Sequence, residues 1–306
     1  MYKVNNKSLI GTILATLTVL TLTLIIGNSF VHAAQPTVNL GTATPFAILA
    51  GTPGITNTGP SVITGNVGLY PGPGSDIIGL LCSQVTGTIY ARDATGNICF
   101  TVNDPLLLAA KNDLTAAYTD AANRTPVTIV PDELGGTTLT PGVYASTSTI
   151  LQISAPNPLI LDAQNDPSAV FIFEVAAEAP GLTVGPGSVV QLTGQAQACN
   201  VFWRVDTATI DTTAVFKGNI LALNSITVAN GANIEGSLLA RNGQVTLIND
   251  TITVPVCTDT TSTTVVPGFP NTGSSSGSTT FWVFASAGML ALGLLFAYVA
   301  RKKYLI

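Results

Sequence analysis

Side chains that could carry out acid–base or nucleophilic chemistry are few in this 306-residue chain, and they lie far apart. The only histidine, His32, falls in an N-terminal segment that we expect to be removed, which excludes Ser-His-Asp and Cys-His arrangements. Asp211 and Glu235 could approach each other on neighbouring repeats, but no Arg or Lys clamp accompanies them. The chain also contains no Asp-x-Asp-x-Asp-Gly calcium loop. We therefore predict no enzymatic activity and no cofactor.

The cysteines are better explained by cross-linking than by catalysis. An even number of cysteines in an exported chain favours disulfides, and four cysteines allow three connectivities. We expect near neighbours to pair, Cys82 with Cys99 and Cys199 with Cys257. A zinc site is the weaker interpretation, because the chain has no CxxC spacing.

Short polar residues recur on a repeating frame. Residues 201–255 divide into three similar units, VFWRVDTATIDTTAVFKGN, ILALNSITVANGANIEGS and LLARNGQVTLINDTITVP. A period of about 18 to 20 residues is typical of a solenoid, in which each coil buries its apolar side against its neighbours. Equivalent side chains of stacked coils form ladders about 4.8 Å apart. Such a grid suits a flat, repetitive partner.

One segment departs from the β pattern and predicts a helix over about residues 104–124. Asp104 is placed to cap it and Pro105 to occupy its first position, while Asn123 and Pro126 end it. Apolar residues at helical spacing form one stripe. Short strands and Gly/Pro turns on both sides indicate one domain over residues 35–257, with the helix lying along the solenoid.

The N-terminal segment, residues 1–34, has two lysines, a long apolar run over residues 9–26 and small residues at its end. These features predict a secretory signal peptide, and a retained membrane helix is the alternative. The chain is therefore expected to be exported.

At the other end, a Thr/Ser-rich tether over residues 258–280 contains the pentapeptide FPNTG at residues 269–273. An apolar run at residues 281–300 and a basic tail at residues 301–306 follow. This order resembles the LPxTG cell-wall sorting signal of Gram-positive surface proteins, with Phe in place of Leu. The resemblance implies cleavage by a sortase between Thr272 and Gly273, and joining to peptidoglycan. A permanent anchor through a transmembrane helix is the alternative, with the basic tail in the cytoplasm.

The exported portion is acidic. Removing both ends leaves six basic residues against 16 acidic ones, a net charge of about −10. Phosphate binding needs basic patches, so nucleic acid is not an expected partner.

Several motifs, in one order along the chain, resemble the microbial ice-binding (antifreeze) proteins. They include LGTATPFAILAGTPGITNTGPSVITGNVGLYPG, the helix AKNDLTAAYTDAANRTP, AQACNVFWRV and FKGNILALNSITVANGANIEGSLLARNGQVTL. The resemblance covers roughly residues 38–254. It implies a mainly β fold, a discontinuous right-handed β-solenoid of triangular cross-section with one long α-helix alongside. It also implies that the partner is the surface of an ice crystal.

The family's ice-binding face often shows a Thr-Ala/Gly-x-Thr/Asn tetrad, which the resemblance carries onto residues 230–233. Aligning the preceding coil on its closing glycine adds Thr212. Thr207 and Thr209, like Thr56 and Thr58, are one strand period apart and should face the same side. The candidate ice-binding residues are Thr207, Thr209, Thr212, Asn230, Ala232, Asn233, Thr56 and Thr58.

A wall-anchored adhesin or structural surface protein that binds a glycan or a protein is the alternative function. Glycan sites generally present exposed Trp or Tyr. Trp203 lies inside an apolar run and is expected to be buried, and Trp282 lies in the predicted anchor. We therefore favour ice as the partner.

Overall fold

The computed structural model describes residues 35–96, 99–146, 148–175 and 181–258. Within these residues the chain forms short parallel β-strands, numbered here along the chain, and one α-helix. The strands of successive coils stack into three sheets that surround a shared apolar core, and most coils contribute one strand to each sheet.

Sheet A has ten strands. In spatial order they are β8 (Thr101–Val102), β7 (Ile89–Ala91), β4 (Asn66–Leu69), β1 (Phe46–Ala50), β23 (Leu238–Ala240), β20 (Asn219–Ala222), β17 (Val201–Val205), β14 (Phe171–Glu174), β11 (Gly142–Ser146) and β9 (Val127–Val130).

Sheet B has seven strands. They are β12 (Ile150–Ile153), β15 (Gly181–Val184), β18 (Ala208–Ile210), β21 (Ile226–Val228), β24 (Val245–Ile248), β2 (Ile55–Thr58) and β5 (Ile77–Ile78).

Sheet C has five strands, and three more continue it through the bridge between Val189 and Val215. The five are β19 (Val215–Lys217), β22 (Asn233–Glu235), β25 (Thr251–Thr253), β3 (Val62–Thr64) and β6 (Val85–Thr86). The further three are β10 (Thr138–Leu139), β13 (Leu159–Asp162) and β16 (Val190–Thr193).

The order of the coils is discontinuous, as expected. In all three sheets the first coil of the chain stacks against its last coil, so that β1 pairs with β23, β2 with β24 and β3 with β25. The chain therefore passes once from one end of the stack, at β8, to the other end, at β9. The segment between these strands contains α1 (Asp104–Ala122).

Helix α1 confirms the predicted helix, with one correction at its start. The N-cap is Asn103, whose side chain accepts a hydrogen bond from the Leu106 backbone N–H at 3.1 Å, and Asp104 lies in the first turn. Asn can orient its carbonyl toward the free N–H groups of the first turn as well as Asp can. The predicted apolar stripe is buried against the outer side of sheet A. Its members are Leu107, Ala110, Leu114, Ala117 and Ala121.

Alternation along the strands determines which side chains fill the core. Trp203 is fully buried, as predicted, and it stacks on Phe173 with ring centroids 3.9 Å apart.

The structure also contains both expected disulfides, Cys82–Cys99 and Cys199–Cys257.

The predicted signal peptide, sorting motif, membrane span and basic tail lie outside the described residues, as does the tether beyond Thr258. No helix in the described part of the chain is long and apolar enough to cross a membrane.

Candidate functional site

Sheet B carries a continuous row of threonines on its outer side. The strand registers align five of them, one from each of five successive coils. In order along the stack they are Thr183, Thr209, Thr227, Thr246 and Thr56. We call these five residues the threonine row. Gln152 continues it at one end and Ile78 at the other.

The local sequence explains why these threonines face outward. Each is the middle residue of a three-residue segment whose two neighbours are buried, as in Ala208-Thr209-Ile210 and Ile226-Thr227-Val228. Because a strand alternates its faces, burying both neighbours forces the threonine out. A β-branched side chain on a strand also has restricted rotamers, so the row is held in place before any partner arrives.

The seven strands of sheet B carry no charged side chain on their outer side, and Glu133 is bridged to Gln152 at one end of the sheet. Along its seven strands the outward side chains are threonines, apart from Gln152 and Ile150 at one end and the isoleucines Ile78 and Ile248. Thr58 follows Thr56 by one strand period and is exposed on the same side, as predicted. Thr207 lies one strand period before Thr209 and is half-buried just before the same strand begins. This surface therefore combines hydroxyl and methyl groups at regular spacing.

The other two sheets offer different surfaces. Sheet A is covered on its outside by α1. On sheet C, the ammonium of Lys217 lies 2.7 Å from the carboxylate of Glu235, and both side chains are partly exposed. A cavity of about 520 Å³ opens beside this ion pair and is also lined by Val256 and Thr258. Sheet C is therefore both charged and indented.

The remaining predicted residues do not lie on sheet B. Thr212 and Asn230 are in the turns that lead from sheet B to sheet C, and Asn233 is exposed on sheet C. Ala232 is a correction, because only 1% of it is exposed and its side chain lies in the core. The tetrad at residues 230–233 thus spans a turn and the start of a sheet C strand.

Three members of the threonine row were absent from the sequence prediction, namely Thr183, Thr227 and Thr246. Their signal is the recurrence of an apolar-Thr-apolar triplet, seen as LTV, ATI, ITV and VTL in successive coils. Aligning the coils on these triplets, rather than on the closing glycine, identifies the row.

Acidic residues near this surface are engaged in structural contacts. Asp211 accepts a hydrogen bond from the backbone N–H of Thr212 at 2.6 Å, whereas Glu235 is on sheet C. The two carboxylates therefore belong to different elements. Burial raises the pKa of Asp250 to about 6, against hydrogen bonds from backbone N–H groups that lower it. Among the described residues, no group of His, Cys, Asp and Glu side chains is arranged to hold a metal ion.

Comparison with known proteins gives a consistent result. The model of a family described as ice-binding-like matches residues 48–253. The chain is 39% identical over 226 residues to an ice-binding protein of Flavobacterium frigoris (strain PS1), covering 71% of this chain and 76% of that protein. It is 38% identical over 241 residues to one from Colwellia sp, covering 76% and 91%.

Solved structures agree. The crystal structure of an ice-binding protein from an Antarctic biological consortium is 39% identical, with a TM-score of 0.62, and the match covers 73% of this chain and 94% of that one. A domain of Shewanella frigidimarina ice-binding protein 1 is 30% identical, with a TM-score of 0.65, covering 73% and 99%.

Proposed function

The chain belongs to the ice-binding-like family, and on this premise we propose that it adsorbs to ice crystals through the threonine row of sheet B and inhibits their growth or recrystallisation. The observation that carries this proposal is the row itself. Five threonines, one from each successive coil, repeat at about 4.8 Å on an uncharged surface.

Adsorption follows from the geometry of the row. The hydroxyl groups hydrogen-bond water while the methyl groups limit its freedom, so a layer of ordered water forms that can merge with the crystal. Adsorbed molecules then force the ice front to bulge between them, which opposes further growth. The rigidity of the row matters because ordering loose side chains on binding would cost free energy. No covalent bond is made or broken, so the protein is not an enzyme.

Of the residues selected from the sequence, Thr209, Thr56 and Thr58 are retained in the proposed ice-binding surface, with Thr207 at its edge. Thr183, Thr227 and Thr246 are added to it. Thr212 and Asn230 flank it in the turns, and Ala232 and Asn233 are left out because one is buried and the other lies on sheet C.

The experiment is a measurement of thermal hysteresis and ice recrystallisation on purified residues 35–257. We expect the fragment to shape ice crystals and to inhibit their growth. A folded fragment without effect on ice would favour the alternative, an adhesin that binds a glycan or a protein.

We also propose that the solenoid is right-handed and triangular in cross-section, and that the protein is displayed at the cell surface. Three sheets around one core support the cross-section. The FPNTG segment, the apolar run after it and the basic tail support attachment, either to peptidoglycan by a sortase or to the membrane. Mass spectrometry of the cell-wall fraction tests this, since sortase processing leaves Thr272 as the C-terminal residue.

A further inference from the structure

The corner between sheets B and C contains a chain of four polar side chains, three of them buried, in contrast to the apolar core around it. We call Asp250, Ser61, Asn57 and Gln84 the corner network. Asp250 and Ser61 are each 1% exposed, and Asn57 is 5% exposed. Buried polar groups are costly unless they are hydrogen-bonded, so the contacts of these residues are informative.

Asp250 holds the turns of two coils. One carboxylate oxygen accepts a hydrogen bond from the backbone N–H of Ile248 at 2.7 Å. The other accepts from the backbone N–H of Ala232 at 3.0 Å, in the preceding coil. The register places Ala232 directly beside Asp250, and its small side chain leaves room for the carboxylate.

Ser61 connects Asp250 to the first coil of the chain. Its hydroxyl oxygen accepts a hydrogen bond from the Asp250 backbone N–H at 3.0 Å and donates to Oδ1 of Asn57 at 2.6 Å. The connection crosses the junction where the last coil stacks on the first. At this junction the neighbouring strands of sheet B, β2 and β24, are far apart in the chain.

Asn57 and Gln84 extend the network to one more coil. The Asn57 amide donates to the carbonyl oxygens of Gly59 and Gly79, both at 3.1 Å. The Gln84 amide donates to the same Gly59 carbonyl at 2.8 Å. Four successive coils are therefore joined at this corner by side chains as well as by strand pairing.

The network lies directly behind one step of the threonine row. Asn57 follows Thr56 in β2, and Ile248 lies one strand period beyond Thr246 in β24. Thr246 and Thr56 are the two members of the row that face each other across the junction. Every other step of the row joins coils that follow one another in the chain, so this step depends most on non-covalent alignment.

We propose that the corner network is a positioning device that keeps Thr56 in line with Thr246, so that threonines from the first and last coils act as one ice-binding surface. This inference rests on the proposed function of sheet B. Without the network, the first coil shifts relative to the last, and a crystal plane meets an interrupted row. A site that is held slightly too loosely loses much of its function even when its residues are all present.

Two serine substitutions provide a matched test. Ser188 occupies the same corner position as Ser61 in another coil, is also 1% exposed, and its hydroxyl has no hydrogen-bond partner among the described residues. We expect Ser61→Ala in the full-length chain to reduce thermal hysteresis severalfold, and Ser188→Ala to leave it unchanged. Both variants should remain folded at the freezing temperature of the assay, as checked by circular dichroism. Equal activity of the two variants would overturn the proposal.

Combination with Thr56→Ala separates positioning from general stability. If the network acts through this threonine, Ser61→Ala should cause no further loss of hysteresis once Thr56 is gone. A further loss equal to that in the wild-type background would show that the hydroxyl acts elsewhere. Asp250→Asn serves as a second variant, because its amide leaves one backbone N–H of the turn without an acceptor, and we expect it to behave like Ser61→Ala.

Hydrogen exchange tests the alignment without ice. We expect Ser61→Ala to speed the exchange of amides in β2 and β24, and to leave β18 unchanged. Unchanged exchange in all three strands would contradict the proposal. A wild-type protein without effect on ice would instead contradict the proposed function, and the exchange result would still decide whether the network aligns the junction.

Discussion

Sheets B and C are built from the same coils yet present opposite surfaces. On sheet B, the aligned outward positions of five coils are all threonine. On sheet C, one aligned set of five reads Lys217, Glu235, Thr253, Thr64 and Thr86. Strand pairing gives both sets the same rung spacing, and both lie over the same buried core.

The difference shows that the solenoid provides a lattice and that side chains and surface shape decide its use. Three threonines of sheet C already form a partial row. The ion pair between Lys217 and Glu235 interrupts it, and the cavity beside them makes the surface concave. A flat crystal can contact sheet B along its whole row, whereas it meets sheet C over a short part only.

The most direct test of this comparison is a bulky substitution at the centre of each sheet. Thr227 is the middle residue of the threonine row, and a tyrosine there would hold the crystal away from its neighbours. We expect Thr227→Tyr to abolish most thermal hysteresis. Asn233→Tyr on sheet C is the control, since both positions are exposed, and we expect it to retain wild-type activity. The reverse pattern would move the ice-binding surface to sheet C.

A second test asks whether the threonine row alone is sufficient. The double substitution Lys217→Thr and Glu235→Thr completes a row of five threonines on sheet C. Loss of this partly exposed ion pair should cost no more than about 1 kcal/mol of stability. We expect the change to restore little hysteresis in a Thr227→Tyr background, because the cavity keeps this surface concave. Substantial recovery would show that the chemistry of the row outweighs its flatness.

The helix, the disulfides and the coil repeat could be predicted because each depends on residues close in sequence or on a simple count. Pro105 marks the first turn of α1, although the cap is Asn103 rather than Asp104, and the apolar stripe has the helical period. The two disulfides join the nearest cysteines in the chain. These features need no knowledge of how coils align.

The ice-binding surface was harder to predict because it depends on register between coils. The family tetrad selected residues 230–233, which lie in a turn and on sheet C, and aligning the preceding coil on its closing glycine added Thr212 in a turn. Thr56 was selected from its own strand, but its place beside Thr246 depends on the stacking of the first coil on the last, which no local pattern specifies. The corner network is beyond sequence reasoning for the same reason, since Asp250 and Ser61 meet only across that junction.

The corner where the two sheets meet gives a prediction for pH. Burial raises the pKa of Asp250 from 3.8 to about 6. The folded chain therefore binds this proton more tightly than the unfolded chain does. Its contribution to stability is fully present below pH 3.8 and is lost as the pH rises through about 6. The size of the loss is on the order of 3 kcal/mol.

Chemical denaturation of the wild type and of Asp250→Asn across this pH range measures that contribution. Hydrogen bonds lower the pKa of other carboxyls, such as Asp113 and Asp166, and these groups change stability in the opposite direction. They are common to both proteins, so their effect cancels in the difference. We expect the free energy of unfolding of the wild type to fall relative to the variant as the pH rises. A constant difference would show that Asp250 titrates normally.

The smallest expected effect comes from lengthening the row at its end. Gln152 is exposed on β12 and aligned with Thr183, so Gln152→Thr adds a sixth threonine to sheet B. The substitution removes an exposed hydrogen bond at 3.0 Å to Glu133, which contributes little to stability in water. We expect a modest rise in thermal hysteresis, because one more coil can hold ordered water against the crystal.

The control is Gln191→Thr, the same exchange at an exposed position of β16, a strand that continues sheet C. This control should leave thermal hysteresis unchanged. Equal thermal hysteresis of the two variants would show that the central coils limit adsorption. The difference between sheets B and C would then depend on the threonines of those central coils and not on the length of the row.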